Sequence, residues 1–274
     1  MTSWSRPGSP PSPADLVDLA AAVARRAADL LLGGLARARA TAETKSTRTD
    51  MVSELDRASE QLVVSSLLDE RPADGILGEE GSAVEGTSGV RWVVDPLDGT
   101  TNYLYGLPGW AVSIAAEDGD GVVAGVVWDP VHGELFSATR GGGARLDGRP
   151  VTCSSSTDLS TALLATGFGY DRTRRRAQAE VLVGVLPRVR DIRRLGSAAI
   201  DLCAVACGRV DGYYERGLEW WDLAAGSLIA AEAGAVVTGL PDGASPAGSV
   251  VAAAPGIATP LRELLGSVGA DGVP

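Results

Sequence analysis

The segment that most constrains the fold of this chain is a short apolar run that ends in two aspartates and a glycine. Trp92–Val94 is typical of a buried strand, and Asp95 follows at its carboxyl end. Pro96 is expected to end the pairing of that strand, and Gly99 permits a sharp turn. The backbone N–H groups after Gly99 would then face the same space as the carboxylates of Asp95 and Asp98. Oxygen ligands beside such amides suit a divalent cation and a phosphate group.

The charge and the composition of the chain argue against several classes of function. The 274 residues carry a net charge of −11, which disfavours binding to the phosphates of a nucleic acid. No apolar run approaches the roughly 18 residues that a membrane span needs. The three cysteines do not form a disulfide framework, so a cytoplasmic location is expected. We therefore expect no nucleic-acid partner and no membrane contact.

The residue types available for catalysis are also limited. The chain has a single histidine, His132, in a predicted turn, which argues against a Ser-His-Asp triad and excludes histidine-rich zinc or di-iron sites. The segment Cys203–Arg209 has the Cys-x5-Arg spacing of cysteine phosphatases, but its pattern predicts a helix rather than a phosphate-binding loop. Two residues rather than one separate Asp95 from Asp98, which argues against phosphatases that form an aspartyl-phosphate. Catalysis would therefore rest on carboxylates, hydroxyls and an oxygen-bound metal.

The order of the predicted elements indicates two halves with different organisation. Two helices come first, and the strands of a meander follow. From about residue 150 strands and helices alternate, which predicts an α+β half over residues 14–150 and an α/β half over residues 151–274. No clear linker divides the halves, so we expect a single domain. A Ser/Pro-rich N-terminus, residues 1–13, is expected to be disordered.

Acidic residues recur at predicted strand ends and helix starts, and each cluster alone has an ordinary structural interpretation. Acids near a helix N-terminus stabilise the helix dipole, and Asp-Pro and Asp-Gly pairs are common in turns. The clusters are Asp50 with Asp56, Glu79 with Glu80, Asp95 with Asp98, and Glu219 with Asp222.

Taken together, these segments resemble the motifs of the inositol monophosphatase superfamily. Asp95–Tyr103 resembles its first signature and Trp221–Gly226 its second. Gly78–Gly81 resembles the acidic motif upstream, and Asp50–Asp56 resembles the segment with the water-activating aspartate. The motifs occur in the family's order, which makes the resemblance specific. It implies a layered αβαβα sandwich of the inositol monophosphatase and fructose-1,6-bisphosphatase type, and a homodimer.

The resemblance also implies a Mg2+-dependent, lithium-sensitive phosphomonoesterase with two or three Mg2+ ions in each site. Two such ions can clamp the attacking and the leaving oxygens of an in-line displacement. The implied metal ligands are Glu79, Asp95, the carbonyl of Leu97, Asp98 and Asp222, with Asp95 bridging two ions.

The attacking water and the phosphate are implied to meet a small group of residues. Thr100 and Asp56 would orient and deprotonate the water. Glu79 would take part in catalysis and hold a third, weaker Mg2+ through water. The N–H groups of Gly99 and Thr100 would bind the phosphate at a helix start.

Contacts to the alcohol part of the substrate are implied mainly in the second half of the chain. Glu215 matches the carboxylate that binds inositol hydroxyls. Arg193 would reach the pocket rim, with a surface ion pair as the alternative. Glu219 stands where the family often has a neutral or basic residue, and it would either disfavour a second phosphate or face solvent. The full implied set of substrate contacts is Leu97, Asp98, Gly99, Thr100, Arg193, Gly196, Ser197, Ala198, Glu215 and Asp222.

The predicted function is hydrolysis of myo-inositol 1-phosphate, or of a similar small polyol phosphate, by metal-activated water. The first alternative is the same chemistry on histidinol phosphate, fructose 1,6-bisphosphate or 3′-phosphoadenosine 5′-phosphate. The loops that decide among these substrates are short. The alternative from another class is a catalytically idle dimer that serves as a binding or regulatory module. Metal-dependent phosphate release would separate the two classes.

Overall fold

The computed structural model describes residues 12–40, 48–239 and 248–273, without the side chains of residues 35–40, 48–53 and 271. Its helices are α1 (Pro13–Ala40), α2 (Arg48–Glu70), α3 (Thr100–Tyr105), α4 (Arg172–Val185), α5 (Ala198–Ala206), α6 (Trp220–Glu232) and α7 (Pro255–Ser267). Its strands are β1 (Gly75–Gly78), β2 (Ala83–Val84), β3 (Arg91–Asp98), β4 (Ala111–Asp118), β5 (Gly121–Asp129), β6 (Glu134–Thr139), β7 (Gly143–Leu146), β8 (Arg149–Pro150), β9 (Leu163–Thr166), β10 (Asp191–Arg193), β11 (Gly212–Leu218), β12 (Val236–Thr238) and β13 (Gly248–Ala253).

The first sheet has eight strands in the order β2-β1-β3-β4-β5-β6-β7-β8. Strands β1 and β3 pair in parallel, and the other neighbours pair antiparallel. The central strands are buried on both faces; in β3, for example, every residue from Trp92 to Leu97 is buried. Strands covered on both sides have continuous apolar sequences, which is why the meander could be predicted.

The second sheet has five strands in the order β10-β9-β11-β13-β12. The first three pair in parallel, and β13 pairs antiparallel with both β11 and β12. Parallel neighbours need a crossover connection, and α4 and α5 supply the helical parts of these connections.

Five layers alternate, with an apolar core between each pair of neighbouring layers. Helices α1 and α2 cover the outer face of the eight-stranded sheet. Helices α5 and α6 lie between the two sheets. Helix α7, with α4 beside it, covers the outer face of the five-stranded sheet. This arrangement is the predicted αβαβα sandwich.

The pairing of β3 near its end differs from expectation. Asp95 pairs with Ser113, and Asp98 pairs with Ala111, with an irregularity between them. Pro96 was expected to end the strand, but β3 resumes pairing and reaches Asp98. Because proline has no N–H to donate, the ladder is interrupted locally rather than ended. The Leu97 N–H turns back to the Asp95 carboxylate at 3.0 Å.

Some predictions fall at the edges of the described residues. Residues 1–11 of the predicted disordered terminus lie outside them, and Pro13 begins α1 behind the Ser12 cap. Asp50 lies in α2, but its side chain is outside the described part. Among the helices that the structure describes, none combines the length and the apolar character that a bilayer crossing needs.

Candidate active site

A cavity of about 350 Å³ collects most of the predicted site residues. Its walls come from the ends of β1, β3 and β11 and from the starts of α3, α5 and α6. Asp56 and Arg193 are not among the residues that line it. The predicted residues that do line it are Glu79, Asp95, Leu97, Asp98, Gly99, Thr100, Gly196, Ser197, Ala198, Glu215 and Asp222.

Three aspartates form a candidate metal cluster at one end of the cavity. Asp95, Asp98 and Asp222 each offer a carboxylate oxygen, and these oxygens lie within 4.8 Å of one another. Asp95 is only 1% exposed. Within the described residues, no arginine or lysine forms an ion pair with any of the three. The charge of Arg194 offsets part of the negative charge at Asp98, but burial leaves the cluster with an excess of negative charge.

The pKa values of these acids reflect the same excess of negative charge. Burial, followed by the charges of neighbouring acids, raises the pKa of Asp222 to about 8. Burial raises the pKa of Glu79 to about 7 and that of Asp98 to about 6. Burial also raises the pKa of the fully buried Asp95 well above its usual range. The charges of Glu79, Asp98 and Asp222 raise this pKa further. Such a cluster favours a bound proton or a bound cation. Its all-oxygen donors fit Mg2+.

Backbone and side-chain donors fix two of these ligands. The Ser197 hydroxyl and the Ala199 N–H donate to Oδ2 of Asp98 at 2.6 and 2.7 Å. At the start of α6, the Glu219 N–H donates to Oδ2 of Asp222 at 2.7 Å, and the Glu219 side chain accepts from the Asp222 N–H. This reciprocal capping box gives Glu219 a structural role beside the cavity.

The turn after the cluster depends on Gly99. This residue has φ +94°, and a Cβ atom there would lie 2.6 Å from the carbonyl oxygen of Gly109. Within the described part of the chain, no side-chain cap bonds the first turn of α3. The Thr100 hydroxyl donates to the carbonyl of Leu97 at 3.1 Å, which leaves its lone pairs available as acceptors.

Asp56 lies on α2, near the loop that carries Glu79 and Glu80. It is 4% exposed, and its Oδ1 finds no hydrogen-bond partner in the described part of the chain. Burial, and then the charges of Glu79, Glu80 and Glu60, raise its pKa to about 8. A buried carboxylate with an unpartnered oxygen and a high pKa can accept a proton.

The opposite end of the cavity presents further acids. Burial raises the pKa of Glu215 to about 7, and the Tyr213 hydroxyl donates to its Oε2 at 2.7 Å. Gly167 faces this carboxylate, and any Cβ there would collide with it. Asp201, which sequence reasoning missed, lines the same cavity and is 1% exposed. These groups suit an alcohol that donates several hydrogen bonds.

Two adjacent arginines lie in different places. Arg193 pairs with Asp191 at 2.6 Å and lines a second cavity of about 720 Å³. Arg194 lines both cavities. Arg193, the predicted rim residue, is therefore absent from the lining of the first cavity, and its neighbour Arg194 is part of that lining. The sequence alone does not say which of two adjacent arginines reaches a cavity.

Comparison with known proteins agrees with this geometry. A model of the inositol monophosphatase family matches residues 13–268. The chain belongs to the inositol monophosphatase family.

Relatives and solved structures of this family support the assignment. An inositol-1-monophosphatase of Mycobacterium leprae is 50% identical over 85% of this chain and 82% of that protein. The structure titled Mycobacterium tuberculosis SuhB has a TM-score of 0.82 and 46% identity, covering 94% of this chain and 98% of that one. A Pasteurella multocida relative named Nus factor SuhB is 40% identical over 92% of this chain and 95% of its own length. The predicted family, fold and enzyme class are confirmed.

The single histidine and the Cys-x5-Arg segment have structural surroundings in this member of the inositol monophosphatase family. His132 lies in the turn between β5 and β6, with its Nδ1 2.7 Å from Asp129 Oδ2. Cys203 is fully buried in α5, and burial raises the pKa of its thiol well above the usual range. Arg209 is ion-paired with Glu134. The Cys-x5-Arg segment is therefore a helix and its C-terminal turn, without a reactive thiolate.

Proposed function

We propose that the protein is a Mg2+-dependent phosphomonoesterase that hydrolyses myo-inositol 1-phosphate or a similar small polyol phosphate. The observation that carries this proposal is the buried, charge-unbalanced cluster of Asp95, Asp98 and Asp222 in the same cavity as Glu215. The inositol-1-monophosphatase relatives support it, because they are half identical to this chain over most of its length.

Mg2+ would be held by Glu79, Asp95, the Leu97 carbonyl, Asp98 and Asp222. Ions bound there would supply positive charge to the phosphate oxygens and lower the pKa of an attacking water. The charge of Glu79 helps to raise the pKa of Asp95, so the loop that carries Glu79 lies beside the cluster.

The chain's own residues would then orient the phosphate and move a proton. The N–H groups of Gly99 and Thr100 bind phosphate oxygens at the start of α3. The Thr100 hydroxyl, which donates to the Leu97 carbonyl, accepts a hydrogen bond from the attacking water. Asp56, in its deprotonated form, would take the proton from that water.

The substrate's alcohol would lie against Glu215, Ser197 and Ala198. Glu215, Asp201 and Glu219 make this end of the cavity acidic, and Arg194 and Arg174 are the basic residues there. The acids that line this part of the cavity outnumber the two arginines, which favours a monophosphate over fructose 1,6-bisphosphate or 3′-phosphoadenosine 5′-phosphate. Histidinol phosphate, whose alcohol part is cationic, is the alternative that this charge favours.

A phosphate-release panel tests the proposal. Inositol 1-phosphate, histidinol phosphate, fructose 1,6-bisphosphate and 3′-phosphoadenosine 5′-phosphate are assayed with Mg2+ and with a chelator. We expect Mg2+-dependent release, with the highest kcat/KM on inositol 1-phosphate. Release from none of the four would overturn the enzyme function, and a preference for a bisphosphate would overturn the substrate assignment.

The alternative from another class, an idle binding or regulatory module, would give no turnover in that panel. The name Nus factor SuhB of several relatives raises the question of a nucleic-acid role for this family. In this chain the net charge of −11 favours a small-molecule substrate over nucleic-acid phosphates. The homodimer and the cytoplasmic location stay predictions.

A further inference from the structure

A buried glutamate on α2 takes no part in the proposed chemistry. Glu60 lies one helical turn after Asp56 and is 2% exposed. Its carboxylate accepts two backbone N–H groups from the loop between β1 and β2. Oε2 accepts from Glu80 at 2.8 Å, and Oε1 accepts from Ser82 at 3.0 Å. Both carboxylate oxygens of this buried glutamate therefore accept hydrogen bonds from the same short loop.

The loop is shaped to receive this carboxylate. Gly78, the last residue of β1 before the loop, lies against Glu60, and a Cβ atom at Gly78 would collide with the carboxylate oxygens. Gly81 adopts φ +105°, a conformation that favours glycine. The Gly78 N–H also donates to the Ser82 carbonyl at 2.8 Å, which closes the loop on itself. Together these contacts surround the Glu60 carboxylate with donors and exclude a side chain at Gly78.

The residue carried by this loop is Glu79, the one candidate carboxylate ligand that lies in a turn outside β3 and α6. Its backbone N–H donates to the Val94 carbonyl at 3.2 Å, next to Asp95 on β3. The next residue, Glu80, donates its backbone N–H to Glu60. The direction of the Glu79 side chain thus depends on a loop whose N–H groups point to Glu60.

We propose that Glu60 is a positioning residue that holds the β1–β2 loop so that the Glu79 carboxylate reaches the metal cluster. This inference rests on the proposed function, since it gives Glu60 its role through a Mg2+ ligand. Helix α2 would then contribute two residues to the site from the same face, Asp56 and Glu60.

Two substitutions test separately the position and the charge of the Glu60 carboxylate. Glu60→Gln keeps the length of the side chain but replaces one acceptor with an NH2 group, which faces a backbone donor. Glu60→Asp keeps the charge but shortens the side chain by one methylene group. A positioning role predicts that both variants bind Mg2+ more weakly, by about ten- to a hundredfold, the usual loss when a partner of a metal ligand is removed. A purely electrostatic role predicts loss in Glu60→Gln alone.

Glu232 offers a matched control on α6. Its two carboxylate oxygens accept the N–H groups of Gly141 and Gly143 at 2.7 and 2.8 Å, and it lies at the opposite end of α6 from Asp222. Glu232→Gln therefore breaks the same kind of contact to a loop that carries no candidate ligand.

Gly78→Ala displaces the Glu60 carboxylate from the other side and leaves Glu60 itself intact.

The experiment measures Mg2+ binding by calorimetry and amide hydrogen exchange by mass spectrometry on the full chain. We expect faster exchange at Glu80 and Ser82, and weaker Mg2+ binding, in Glu60→Gln, Glu60→Asp and Gly78→Ala. Glu232→Gln should speed exchange only around Gly141–Gly143. The Mg2+ concentration for half-maximal phosphate release should rise in the first three, with kcat at saturating Mg2+ largely recovered.

Three outcomes would contradict the inference. Unchanged Mg2+ affinity despite faster loop exchange would show that the loop needs no anchor. Wild-type affinity in Glu60→Asp, with loss in Glu60→Gln, would show that charge alone matters. Equal loss in Glu232→Gln would show a general effect of stability. A wild-type chain that binds no Mg2+ would instead overturn the proposed function, and this inference with it.

Discussion

The Ser197 hydroxyl donates a 2.6 Å hydrogen bond to the Asp98 carboxylate across the boundary between the two sheets. The same hydroxyl oxygen accepts from the Ile200 N–H at 3.1 Å as the N-cap of α5. The resemblance implied Ser197 as a contact to the polyol. Because its one hydroxyl hydrogen is donated to Asp98, its first role in this structure is to orient a candidate metal ligand.

We expect Ser197→Ala to weaken Mg2+ binding by about tenfold, because Asp98 loses a donor that fixes its Oδ2. Loss of the N-cap should also lower the free energy of unfolding by about 1 kcal/mol. Calorimetry and urea denaturation measure the two effects separately. Asp158→Ala, which removes a cap from the short helix at Leu159–Thr161, should cost stability without changing Mg2+ affinity. Wild-type Mg2+ affinity in Ser197→Ala would refute this role of Ser197.

Asp95→Asn should remove the bridging charge of the metal cluster while leaving the fold intact. Metal ions supply several kcal/mol of transition-state stabilisation. Because each 1.36 kcal/mol corresponds to a factor of ten, we expect kcat to fall by about a thousandfold. Circular dichroism checks the fold, and phosphate release checks the rate. Asp120→Asn, in an exposed hairpin turn, is the control and should be neutral. Near-normal turnover in Asp95→Asn would contradict the two-metal assignment.

The grouping of the three aspartates in the candidate metal cluster could be predicted from the sequence because its parts have local signals. An apolar strand that ends in Asp95-Pro96-Leu97-Asp98-Gly99 predicts both the carboxylates and the turn. The Trp221-Asp222 pair begins an apolar helix, so Asp222 falls in its first turn. The layered fold followed from the same kind of evidence, since strands buried on both faces and alternating elements predict covered sheets.

The remaining contacts depend on tertiary structure that no local pattern reports. Glu60 and Asp201 look like ordinary polar positions within helical sequences, and only the fold shows that each is almost fully buried. The choice between Arg193 and Arg194 depends on which of these adjacent side chains reaches the cavity. The Asn102 side chain donates to the carbonyls of Gly109 and Leu195, and the second of these bonds spans 93 residues of sequence.

The stability of the Mg2+-free protein should fall as pH rises. Folding raises the pKa values of Asp56 and Asp222 to about 8 from 3.8, and that of Glu79 to about 7 from 4.5. Groups with a raised pKa bind protons more tightly in the folded state, so their contribution to stability is present at low pH and lost as pH approaches 8. Bound Mg2+ would replace those protons.

Thermal unfolding at about pH 5 and about pH 8, with and without Mg2+, tests this dependence. We expect a lower Tm at pH 8 than at pH 5 without Mg2+, and a larger Mg2+-induced rise at pH 8. A change of about 1 kcal/mol corresponds to roughly 2–4 °C for a domain of this size. Asp222→Asn should reduce both differences. Equal Mg2+ effects at the two pH values would show that these acids do not hold the ion.

Gly99→Ala should damage the turn more than its backbone conformation alone predicts. The φ of +94° costs an alanine about 1–2 kcal/mol, and the collision with the Gly109 carbonyl should add about 1–3 kcal/mol. Gly89→Ala is the matched control, because Gly89 has φ +84° but no atom within 4 Å of its Cβ position. Urea denaturation should therefore show a larger loss for Gly99→Ala. Phosphate release should fall only in that variant, since Gly99 and Thr100 are the residues proposed to bind the phosphate through their N–H groups. Equal destabilisation of the two variants would mean that the turn has room for a side chain.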